Sequence, residues 1–129
     1  MDQEALVAEF RRLLLRLEPE VGPVGLLLLV NSDEASNDSW NVIVSAAGYN
    51  HKSIATAVRE LTATMREVIG KAFWPRISRV TVLKTDDPFV LAFKSTYSAL
   101  PPGATLRSLY VAGVELPKAV IVEAKRRAA

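Results

Sequence analysis

The sequence predicts a single α+β domain of element order α-β-β-α-β-α-β-β, with about five largely antiparallel strands and a long central helix packed on one sheet face. Three observations carry that expectation. Trp40 to Ala46 alternates in the manner of a strand, and a glycine-containing joint, Ala47-Gly48-Tyr49-Asn50, follows it. Beyond the joint, apolar residues at Ile54, Val58, Leu61, Met65, Val68 with Ile69, and Ala72 with Phe73 recur in steps of three and four, which places them on one helical stripe. Arg59, Glu60, Arg66, Glu67 and Lys71 fill much of the other face, with Glu67 and Lys71 spaced for an ion pair.

The remaining elements follow in order. Asp2 to Leu17 reads as a first helix with Asp2 as N-cap and Leu6, Phe10, Leu13, Leu14 and Leu17 as its apolar stripe. Pro19 and Gly22-Pro23 are expected to end it, because proline lacks the amide donor and restricts the residue before it. Val24 to Val30 is a short apolar run bounded by turn residues and is assigned to a buried strand. The polar stretch Asn31 to Ser39 closes a hairpin onto the Trp40 strand. Arg76 to Lys84 is a strand with Val80 and Val82 on one face and Ile77, Thr81 and Leu83 on the other. Asp87 as N-cap and Pro88 in the first turn start another helix, with Phe89, Phe93, Tyr97 and Leu100 on its buried side, although Phe89 to Phe93 also suits a strand. Leu106 to Ala112 and Val114 to Ala124 form the last two strands around Gly113, with Pro117 at an edge or bulge. The domain spans 1–124, and 125–129 is a frayed basic tail.

A chain of 129 residues suits one domain that buries a core without covalent staples. It holds no cysteine, which excludes disulfides, thiolate catalysis and cysteine-ligated metal centres and fits a reducing cytoplasm. The longest apolar run is too short to span a bilayer, and the acidic start differs from a signal peptide, so no membrane association is expected. Net charge is +2, and three of the 16 basic residues lie in Lys125-Arg126-Arg127. The body therefore carries 13 basic against 14 acidic residues, a poor footprint for nucleic acid.

The motifs with a chemical reading are few. Asn31, Asp33 and Asn37 offer oxygens as in a calcium loop, but Ala35, Ser36 and Val42 occupy positions that need a ligand, a glycine and a bidentate glutamate. Gly48, Tyr49, His51, Lys52 and Ser53, between a strand and a helix, form the candidate ligand site, an anion attractor at a helix start. A true phosphate-binding loop is excluded there, since Ala46 and His51 stand where its glycines belong. His51 is the only histidine, which removes paired-histidine metal sites, and no metal or cofactor is expected. Asp86-Asp87 is the adjacent carboxylate pair, and capping accounts for it.

Three function classes follow. The leading one is a non-catalytic interaction or ligand-binding module, homodimeric, because the apolar runs Val24–Val30 and Ala119–Val122 exceed what one layer of helices covers. The alternative is a nucleic-acid-binding protein using Arg76, Arg79, Lys84, Lys125, Arg126 and Arg127, with Trp74 or Tyr49 as stacking surfaces. A small enzyme built on Asp86, Asp87 and His51 is third, and no catalytic residue is assigned.

Overall fold

Five strands lie side by side in one sheet: β1 (Val24–Asn31), β2 (Trp40–Ala46), β3 (Ile77–Val82), β4 (Thr105–Val111) and β5 (Val114–Ala124), in the spatial order β3-β2-β1-β5-β4. This computed structural model describes residues 3–31 and 39–125. Three helices complete it: α1 (Gln3–Val21), α2 (Ile54–Val68) and α3 (Pro88–Tyr97). The order of helices and strands is the one the sequence predicts, with two short 3-10 segments added at Ala47–Tyr49 and Lys71–Arg76. β1 pairs antiparallel with both β2 and β5, and β4 with β5, whereas β2 and β3 run parallel. A parallel neighbour cannot be reached by a hairpin, so α2 serves as the crossover between them.

Alternation along the strands divides the core into two layers. On one face α1 and α2 pack over Leu27, Leu29, Trp40, Val42, Val44, Val120 and Val122. On the other, α3 places Phe89, Val90 and Phe93 against Leu26, Leu28, Ile43, Ala119 and Ile121. The apolar runs that suggested an uncovered face are thus buried within one chain: Leu26 to Leu29 are fully buried, and Ala119 to Val122 expose 1% or less.

Several local expectations are corrected. α1 continues through Pro19 to Val21 and stops at Gly22, whose φ of +76° suits glycine. The amide that proline lacks would have served Leu15, four residues back on the solvent side, where water can take the bond. The N-cap assigned to Asp2 and most of the calcium-loop candidates lie outside the described residues, and Asn31 is buried.

The buried stripe of α2 is Ala57, Leu61, Thr64 and Met65, whereas Ile54 is 48% exposed. Thr64 faces inward because its hydroxyl finds the carbonyl of Glu60 at 3.3 Å and Glu20 at 3.4 Å. The helix also ends earlier than its apolar pattern does. Gly70 is extended, and Lys71, Ala72 and Phe73 belong to the 3-10 segment, so Glu67 pairs with Arg16 at 2.7 Å rather than with Lys71.

In β3, Ile77 joins Val80 and Val82 on the α2 side. A register shift, Trp40 opposite Ile77 but Asn41 opposite Arg79, inserts Ser78 as an extra residue and turns Ile77 over. The Asp87 carboxylate accepts from the Phe89 amide at 2.8 Å and Pro88 opens α3, which decides helix over strand. Leu100 falls beyond that helix and is exposed. Pro117 sits past the end of the β1 ladder and opposite Ser108, whose φ is +55°, so neither neighbour needs its missing donor.

Candidate functional site

The joint after β2 is built for packing. A Cβ on Gly48 would lie 2.6 Å from both the Cα and the carbonyl oxygen of Val21, so glycine there lets the end of α1 touch the joint. Tyr49 is buried, and its hydroxyl is pushed up to about 12 by loss of solvation, with the charges of Glu20 and Glu60 adding to it. Lys52 pairs with Glu60, and Ser53 caps α2 by accepting from the Thr56 amide at 3.2 Å. His51 is exposed. Of the five residues grouped there by sequence, four have structural occupations of this kind.

Asn50 ties this joint to the turn between β3 and α3. Its amide donates to the Thr85 hydroxyl at 2.7 Å and accepts from the Thr85 backbone at 3.0 Å. The clasp joins the segments that carry His51 and Asp86-Asp87, yet Asp87 is occupied as a cap and Asp86 is exposed. Among the described residues no three histidine, aspartate or glutamate side chains gather to hold a metal.

The basic residues proposed for nucleic acid do not form one stripe. Arg76 is buried, Arg79 and Lys84 are exposed on the β3 side, and Lys125 lies beyond β5, 3.9 Å from Glu18. Arg126 and Arg127 lie outside the described residues. No helix among the described residues is long and apolar enough to cross a membrane.

The site that stands out lies on the α3 face. α3 has ten residues and is about 15 Å long. Five strands about 4.8 Å apart make a sheet some 19 Å across before side chains are added. α3 packs against β4 and β5 and reaches Leu26, Leu28 and Ile43, but leaves β3, with Ser78 and Arg79 exposed, only partly covered. The result is a groove of about 410 Å³. Its apolar lining is Val30, Ile43, Leu83, Phe89, Val114 and Leu116. Its polar lining is Asn41, Ser78, Arg79, Asp87 and Glu115. A second hollow of about 300 Å³, between Leu100, Pro102 and Lys125, is less apolar.

The polar groups of the groove are oriented by bonds within the protein. The Thr81 hydroxyl donates to the Asn41 carbonyl oxygen at 3.0 Å, which leaves the Asn41 amide hydrogens to donate elsewhere. The Ser78 hydroxyl donates to the Trp40 carbonyl at 3.0 Å. Arg79 and Asp87 are its polar members already singled out in the sequence, for different roles. Asn41 carried a signal that could have been read: with Ser45 it is one of two polar residues, both on the face of Ile43, in a largely apolar strand. The remainder of the groove depends on the strand order, which juxtaposes residues up to 86 positions apart.

No family model, no curated protein and no solved structure matches the chain. The functional reading therefore rests on the groove and its chemistry.

Proposed function

We propose that the protein is a non-catalytic ligand-binding module of the cytoplasm, with the groove beside α3 as its site. The groove carries the reading. Its volume, about 410 Å³, lies in the range of small-molecule sites, and its floor is apolar with a few polar groups at the rim. A methyl-resolved NMR screen with small amphipathic compounds tests it. Binders are expected to shift Val30, Ile43 and Leu83, and Ser78→Trp, which fills the groove from an exposed position, should abolish the shifts. Binders that shift only methyls remote from the groove would overturn the assignment.

Self-association is a second reading, favoured by the hairpin of β4 and β5. Tyr110 is 73% exposed and Val114 45%, and β4 is an open sheet edge. A homodimer joined there predicts a doubled mass in light scattering at tens of micromolar, lost in Tyr110→Lys. A monomer of 14.1 kDa at that concentration removes this second reading and leaves the groove untouched.

A further inference from the structure

We infer that the groove takes a monocarboxylate with an apolar body, its carboxylate held by Arg79 and Asn41; the inference rests on the groove being the binding site. Asn41 and Arg79 are register partners on adjacent strands, and both line the groove. Their backbones are therefore about 4.8 Å apart, with both side chains on one face. Asn41 is held with its oxygen on Thr81, so it meets the groove as a donor, and a guanidinium has only donors to offer. Two donor groups side by side match the two oxygens of a carboxylate, and one of them brings full charge.

The two acids of the groove do not cancel this end. Asp87 is already bonded to the Phe89 amide, at the first turn of α3, where the helix itself is partly positive. Glu115 is on β5, three strand spacings from β3, which puts the two backbones about 14 Å apart. Between the two ends lie Val30, Ile43 and Phe89, each less than a tenth exposed, which form a floor for a ring or a branched alkyl chain. An anionic head on Arg79 thus leaves the apolar body over apolar lining of the groove.

Three probes of one shape test this: phenylbutanoate, its primary amide, and phenylbutylamine, each titrated against the methyl-labelled protein. The carboxylate is expected to shift Ile43 and Val30 and to bind about tenfold more tightly than the amide, the gain of a charge-assisted bond. Arg79→Gln should remove that preference, weakening the carboxylate about tenfold relative to the amide. Arg79 is exposed on an edge strand, so the variant should fold, and its methyl spectrum reports whether it has. Equal binding of carboxylate and amide, with the same groove methyls shifted, overturns the carboxylate preference and keeps the groove. Tightest binding by the amine overturns it as well, and assigns ligand charge to Asp87 and Glu115. Shifts of groove methyls by none of the three overturn both the ligand class and the groove reading.

Discussion

The Glu9 carboxylate accepts the backbone N–H of Gly70 at 2.7 Å, so a side chain from the first helix caps the turn that follows the second. Glu9 is buried and also holds Arg12 at 3.1 Å. The contact is one reason α2 stops at Val68 although the apolar pattern runs on to Phe73. Glu9→Ala leaves a part-buried amide without its acceptor and should cost about 1–3 kcal/mol in urea melts. Arg12→Ala, at a position more than half exposed, should cost under about 1 kcal/mol. Equal losses from the two variants would show that the ion pair, and not the cap, carries the effect.

Gly48 makes a second junction of the same kind. A methyl group there meets backbone atoms of Val21, which cannot rotate away. Gly48→Ala should therefore destabilise by about 1–3 kcal/mol through displacement of α1 from the joint. Gly103→Ala, where a Cβ has open space and only the φ of +90° is unfavourable, separates packing from backbone strain. A Gly48→Ala protein with an unchanged midpoint would mean that the α1–joint contact is looser than 2.6 Å implies.

The phase of α2 is testable residue by residue. Leu61→Ala should cost about 2–5 kcal/mol, since Leu61 is fully buried. Thr64→Ala should cost about 1 kcal/mol through the lost hydroxyl bonds, and Ile54→Ala, half exposed, within about half a kcal/mol. A larger loss at Ile54 than at Thr64 would restore the stripe read from the sequence.

Tyr49 predicts an alkaline dependence. Its folded-state value, about 12, lies above the ordinary 10, so the native state holds the proton more tightly than the unfolded chain does. The stability tied to this proton is fully present below pH 10 and is lost as pH rises through 12. The slope is at most about 1.4 kcal/mol per pH unit. Urea midpoints of the wild type and Tyr49→Phe, compared from pH 9 to pH 12, isolate it from the titration of lysines. The wild type should fall faster than the variant above pH 10, and parallel curves would place the hydroxyl in water.

The parts of this fold that could be read in the sequence are those set by neighbours in the chain. Asp87-Pro88 marks a helix start because a cap and a fixed φ act within a few residues. Trp40, Val42 and Val44 fall on one face and Ile43 on the other because a strand alternates whatever it pairs with. Distant partners decided the rest. Thr64 is inward because Glu20 lies across from it, and Ile77 is turned by a bulge that exists only in its ladder with β2. Of the groove, Arg79 was visible as a charge, but its adjacency to Asn41 is a product of the parallel β2–β3 pairing.

The place of β5 between β1 and β4 has a consequence for the chain as it is synthesised. Of the described strands it is the last to leave the ribosome, yet it is an interior strand of the sheet. Until residues 114–124 emerge, β1 has one edge unpaired, and that edge displays Leu26-Leu27-Leu28-Leu29, an uncharged run without proline. Such an edge pairs readily with a copy of itself on a neighbouring nascent chain. The interval between translation of Asn31 and closure by Ala124 is therefore the period when this edge is open to such pairing, and slow decoding after β4 would lengthen it.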